Sequence, residues 1–203
     1  MAKKLKDGSV LLENVTLSFP HILEPNTSLE GAKPKYGCAL LMDADSQEAK
    51  AIEVSILATA KDAFGAKGEK VVANMKAKGK YPLKDGNLKE ELAGYAGRLY
   101  INANSGIVIP CYGRDPKVKL NEQEIREMMY AGATVNAVVS FYKYSHKTGG
   151  DGVGIGLKGL QFVKDGDRLS GGGVAKSEDF PVIEEAEDSG FGESADGGAA
   201  PWA

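Results

Sequence analysis

Hydrophobic and polar residues alternate with a period of two along several stretches of the chain, the mark of strands buried on one face. Val15, Leu17 and Phe19 alternate with Asn14, Thr16 and Ser18, predicting a strand over 10–19 with those three side chains inward. Pro20 and Pro25 bracket the turn expected after it. A second strand is predicted over 35–42, entered from a basic loop at 31–35. The period then changes. Ile52, Ile56, Ala60 and Phe64 recur every four residues, predicting a helix over 46–64 with Ser46 or Asp45 as N-cap and Gly65 and Gly68 as its stop. A shorter lysine-rich helix fits 69–78, and 79–97 reads as loop.

Period two returns at 98–103, with Leu99 and Ile101 on one face and Arg98, Tyr100 and Asn102 on the other. Ser105-Gly106 predicts a hairpin turn into a strand over 107–112, and 122–130 reads as a short helix. The clearest alternation is at 134–144: Val135, Ala137, Val139 and Phe141 against Asn136, Val138, Ser140, Tyr142 and Tyr144. A glycine-rich turn and a last strand over 152–163 complete the set. The fold class is mainly β with inserted helices, a small barrel or another α+β arrangement. Residues 1–9 are expected to be a flexible basic start, 10–172 the domain, and 173–203 a disordered tail.

Charge sharpens this division. The chain has 203 residues, 25 basic and 28 acidic, for a net charge of −3. Eight of the acidic residues (Glu178, Asp179, Glu184, Glu185, Glu187, Asp188, Glu193 and Asp196) lie in 177–203, which has no Lys or Arg. The body therefore carries 25 basic against 20 acidic residues, +5, and the tail −8. A basic body with an acidic appendage suits a polyanion partner for the body better than the overall acidity suggests.

Other chemistries find little support. Cys38 and Cys111 are far apart and outside any C-x-x-C pattern, and His21 and His146 have no partner at ligand spacing, so no metal or cofactor is expected. No apolar run reaches the ~18 residues of a membrane span, and no signal-peptide core follows the basic start. The expectation is a soluble cytoplasmic protein with reduced thiols. Gly154-Ile155-Gly156-Leu157-Lys158-Gly159 matches the dinucleotide pattern G-x-G-x-x-G, but strand-forming residues follow it and no helix opens. The glycines are better read as permitting a bulge, strong curvature or close approach by another backbone. Asp43/Asp45 and Glu90/Glu91 are paired carboxylates, the first pair better explained as a strand end and helix cap. Nothing in the sequence demands an enzyme.

The polar faces of two strands are more informative. Tyr142 and Tyr144 flank Lys143, and Arg98 and Tyr100 share a face with Asn102. Aromatic rings beside cations form the platform a single nucleic-acid strand needs, because bases stack on the rings while Lys and Arg follow the phosphates. Lys80, Lys84, Arg114, Lys117 and Lys119 fall in loops able to rim such a groove, although some of the tyrosines can instead pack under the inserted helices. In the tail, Phe180, Phe191 and Trp202 lie among acids such as Glu184 and Glu185, a pattern that fits an apolar pocket with a basic rim on a partner protein.

Six blocks in order carry a resemblance: 17–25 (LSFPHILEP), 35–41 (KYGCALL), 82–86 (PLKDG), 139–144 (VSFYKY), 154–157 (GIGL) and 161–172 (QFVKDGDRLSGG). Together they resemble a bacteriophage family long classed as a domain of unknown function, whose studied member is a single-stranded DNA-binding protein with an OB-fold. The resemblance spans roughly 10–172. It implies an OB-fold-like barrel that coats single-stranded DNA in phage replication or recombination, in the cytoplasm of an infected bacterial host. Related proteins of this function end in acidic tails tipped by an aromatic; here Trp202 is followed by Ala203 and the closing stretch is rich in Gly and Ala. The expected partners are single-stranded DNA and, through the tail, phage or host replication proteins; the sequence leaves the oligomeric state open, a homodimer among the alternatives. Two rival readings stay open: a protein-interaction module whose tail mimics DNA, and a nuclease using the paired carboxylates.

Overall fold

A computed structural model describes residues 2–27, 33–146 and 149–169. The predicted 173–203 tail, with Phe180, Glu184, Glu185, Phe191 and Trp202, lies outside the described residues. Among those described there are eight strands and three α-helices: β1 (Lys3–Lys4), β2 (Val10–Asn26), β3 (Lys35–Asp43), α1 (Gln47–Phe64), α2 (Gly68–Ala77), β4 (Leu83–Asp85), β5 (Arg98–Ser105), β6 (Cys111–Tyr112), α3 (Glu122–Met128), β7 (Thr134–His146) and β8 (Gly150–Lys164).

The strands run in the order β4-β5-β3-β2-β7-β8-β6, and a parallel pairing of β5 with β8 at Asn104 and Gly156 closes the path. Strands β2, β3, β5, β8 and β7 thus form a closed five-stranded barrel of the OB type, with its helices in the connections. Closure leaves one inward and one outward side chain set per strand. Leu12, Val15, Leu17, Leu40, Ile101, Val135, Ala137, Val139, Ile155 and Leu157 fill the interior. Ile52, Ile56 and Ala60 on α1 join the same core, one residue per turn as the spacing predicts. Ser46 is the cap of α1, its hydroxyl accepting from the Ala49 N–H, and Asn121 and Glu124 form a reciprocal capping box on α3.

Several elements differ from expectation. The turn predicted at Pro20–Pro25 is instead the bent second half of β2. Register partners Ser18↔Ala39, His21↔Gly37 and Asn26↔Lys35 leave extra residues on β2. The prolines sit in these bulges, where a missing N–H breaks no ladder bond. Phe19 adopts φ +44° there and turns outward, 51% exposed, instead of continuing inward after Leu17.

The hairpin predicted at Ser105-Gly106 does not form. β5 is already paired on one side with β3 and on the other with β4 and β8, so it has no edge for a returning strand. The Ser105 hydroxyl bonds the Ile107 N–H and carbonyl in a local turn, and only Cys111–Tyr112 become strand, parallel to β8. The predicted loop at 79–97 contains β4. The basic start also joins the sheet, with Lys3 opposite Leu11 and Lys4 opposite Val10.

Both cysteines are free and buried. Burial pushes the Cys111 thiol up to about 12, and raises Cys38 as well, with Cys111 nearby adding to the effect. A thiolate is the reactive form. A disulfide reagent such as Ellman's should therefore titrate no thiol in the native protein at pH 8 and two in denaturant; rapid native reaction would show that the barrel opens.

Candidate nucleic-acid interface

The outward side chains of four barrel strands line up into one strip. Gly37 (β3) is opposite Asn104 (β5), Asn104 is opposite Gly156 (β8), and Gly156 is opposite Ser140 (β7). Adjacent strands are ~4.8 Å apart, so these positions are side-by-side neighbours across the barrel wall.

At one end of the strip lies a groove of ≈ 380 Å³ bordered by Phe19, His21, Lys35, Lys89, Asn102 and Asn104. The bulge in β2 aims Phe19 here, and Asn102 and Asn104 project from alternate positions of β5. A non-glycine residue held at positive φ is costly and marks a position that the surroundings hold in place.

At the other end the β7–β8 hairpin carries the tyrosines. Tyr142 is 48% exposed, Tyr144 is half-buried, and both share the outward face of Ser140. Register sets Tyr142 opposite Gly154 and Tyr144 opposite Gly152. A β-carbon placed on Gly154 would stand 2.5 Å from Tyr142 Cζ and 2.8 Å from Cε2, so the far half of the ring lies over the glycine. The Tyr144 ring stands over Gly152 in the same way. Beyond Tyr144, a hollow lined by Met75, Lys78, Lys80, Gly149 and Asp151 joins the hairpin to the end of α2, and Lys80 Nζ donates to the Gly149 carbonyl at 3.5 Å.

The structure therefore brings together Tyr142, Tyr144 and Lys80 of the residues singled out in the sequence. Lys143 is exposed beside them but belongs to the opposite face of β7. The rest are elsewhere. Tyr100 points outward from the barrel as its alternation predicts, yet is only 4% exposed: it packs edge-on against Tyr95 at 5.1 Å beside Leu41, and burial raises its phenol pKa. The segment before β5 supplies this cover, so the Tyr100 ring offers no open face for a base. Lys84 is its register neighbour on β4. Arg98 bonds the Thr16 hydroxyl at 3.0 Å and sits 3.5 Å from Asp43, tying β5 to β2 and to the end of β3. Arg114 donates to the Val163 carbonyl at 2.9 Å. Val163 is seven residues along β8 from Gly156, where the strip crosses that strand, about 23 Å of strand, which removes Arg114 from the strip.

Phe19, His21, Lys35, Lys89 and Asn104 border the groove but were not singled out from the sequence. Asn102 was placed on the right face but not singled out. The paired carboxylates do not assemble: Asp43 faces Arg98, and no group of three His, Cys, Asp or Glu among the described residues is placed to hold a metal ion. Among the described residues no helix is long and apolar enough to cross a membrane.

The family described as Enterobacter phage Enc34, ssDNA-binding protein matches residues 8–191. The chain belongs to this family. "Putative protein p50" of Acyrthosiphon pisum secondary endosymbiont phage 1 is 34% identical over 182 residues, covering 88% of this chain and 96% of that protein. The single-stranded DNA-binding protein from bacteriophage Enc34 in complex with ssDNA superposes with a TM-score of 0.71 at 25% identity, over 83% of this chain and 93% of that one. At 12% identity, gp2.5, a single-stranded DNA-binding protein of bacteriophage T7, shares the fold with a TM-score of 0.52 over 82% and 97% of the two chains. The family is one of binding proteins, not enzymes.

Proposed function

We propose that the protein binds single-stranded DNA without catalysis and with little sequence preference, along the outer strip from Phe19 to Tyr144. One observation carries this reading. A continuous register-linked face has aromatic rings at both ends, side-chain amides between them, and Lys35, Lys78, Lys80 and Lys89 along its margins. Rings accept any base by stacking, amides bond base edges or sugars, and the lysines follow the phosphates. The Enc34 relative, solved in complex with ssDNA, supports single-stranded DNA as the ligand.

The setting proposed is phage DNA replication or recombination in the cytoplasm of the infected host. The −8 tail competes with DNA for the basic face and, once displaced, recruits replication proteins through its aromatic residues. A homodimer is part of the proposal.

Titrating labelled single- and double-stranded oligonucleotides at two salt concentrations tests the reading: single strands should bind more tightly, with strong salt sensitivity. No binding by the full chain or by a 1–176 truncation would favour the interaction-module alternative. The charge contribution is separable. Lys80→Ala and Lys89→Ala should each lower the slope of log affinity against log salt by ~0.7, the value for one phosphate contact on a single strand. Arg114→Ala should leave the slope unchanged, because that side chain is off the strip.

A further inference from the structure

Gly154 and Gly156 of the G-x-G-x-x-G segment, with Gly152 just before it, fall at alternate outward positions of β8, and the binding reading so far gives these glycines no role. We propose that Gly152 and Gly154 are positioning residues, seats that hold the Tyr144 and Tyr142 rings in the orientation needed for stacking. The inference rests on the proposed DNA-binding reading and deepens it.

The geometry is specific to these positions. Neither glycine has a positive φ, so backbone conformation does not demand glycine at either one. What excludes a side chain is the tyrosine across the strand pair. At Gly154 the missing β-carbon would meet Cζ, Oη and Cε2 of Tyr142, and at Gly152 it would meet Cζ, Oη and Cε1 of Tyr144. The same pattern continues at Gly156, where it would lie 2.7 Å from the Ser140 hydroxyl. Each ring leans across the pair onto bare backbone; Tyr142 stays 48% exposed, while Tyr144 also has the His146 ring 5.6 Å away and borders the hollow beside α2. Stacking repays this arrangement, since a ring already held in place loses little rotamer freedom when a base arrives. An added methyl at either seat meets only the far end of a side chain that can swing away, so the barrel survives while the ring loses its place.

Gly154→Ala and Gly152→Ala, with Gly106→Ala as a control whose β-carbon meets nothing, test this in the full-length protein. In the free protein, ring current from Tyr142 should move the Gly154 Hα proton resonances upfield, and Tyr142→Leu should abolish the shift. Gly154→Ala should keep the melting temperature close to that of the parent yet weaken single-strand binding at least about fivefold, the lower end for loss of one stacked base. Combined with Tyr142→Ala it should add little further loss, because both changes remove the same contact. Unshifted Gly154 protons, or Gly154→Ala and Gly152→Ala proteins that bind like the parent while Tyr142→Ala does not, would overturn the seat. If Tyr142→Ala and Tyr144→Ala themselves bind like the parent, the stacking face fails and the functional role of the seats with it. The Hα shifts then still report whether the rings rest there.

Discussion

Replacing Tyr142 and Tyr144 together with alanine should weaken single-strand binding by at least about 30-fold. Base–aromatic stacking is worth ~1–3 kcal/mol per base, so two rings lost at the lower limit remove ~2 kcal/mol, and each 1.4 kcal/mol is tenfold. Neither ring belongs to the barrel core, so thermal stability should change little and the loss is attributable to the interface. Replacing tyrosine with alanine removes no cation, so the double variant should keep the parent's salt slope while its line moves down as a whole. That separates it from the lysine variants, which change the slope. Fluorescence anisotropy with a labelled oligonucleotide at four or five salt concentrations reads both quantities. Parent-like affinity would remove the hairpin from the interface and leave Phe19, Asn102 and Asn104 as the remaining candidates. A lowered slope would mean that the rings position Lys78 or Lys80 and do not themselves stack.

The hairpin was legible in the sequence because β7 obeys simple alternation for its whole length, from Val135 inward to Tyr144 outward. Even the glycine seats are readable in hindsight. The register Tyr142↔Gly154 and Tyr144↔Gly152 is part of an unbroken run of pairs from Val139↔Leu157 to His146↔Gly150, in which one pair fixes all the others. For Gly154 the sequence left a bulge, strong curvature or close approach by another backbone as alternatives; the group that approaches is a side chain.

The opposite end of the strip was not legible, for a different reason in each case. Phe19 continues the alternation of Val15 and Leu17, and only the bulge seen in the β2–β3 register sends it outward. Tyr100 alternates correctly but is covered by Tyr95, and period-two reasoning gives the face of a residue without saying what lies over that face. Lys89 reaches the groove from the end of a single 3₁₀ turn at Gly86–Lys89, 5.6 Å from the Tyr100 ring centre, and one turn is too short for a periodicity to be read. The absent hairpin at 105–106 has the same character. Its turn chemistry was sound, but β5 had already spent both edges on partners distant in sequence. Local patterns located the strands; closure of the barrel decided which of their outer faces stayed open.

Removing the acidic stretch should raise apparent single-strand affinity about tenfold at low salt. The tail's eight carboxylates are joined to a body of net charge +5. A tethered competitor acts at a local concentration on the order of 1 mM, and a basic face holds a generic polyanion with a dissociation constant of ~10⁻⁴ M. The face would then be occupied by the tail about ten times more often than it is free, and DNA must displace it. Truncation after residue 176 leaves the matched barrel strands intact and removes the competitor. The gain should shrink as salt rises, because the contact being lost is purely ionic. Duplex binding should gain at least as much, since a face held mainly by charge loses discrimination when its anionic rival is gone. Changing all eight acids to their amides should reproduce the truncation, and adding the detached tail peptide at millimolar concentration should reverse it. A truncated protein whose affinity is unchanged at every salt concentration would show that the tail does not occupy this face. Its charge would then serve only the partner proteins, and the basic margin of the strip would be open to DNA at all times.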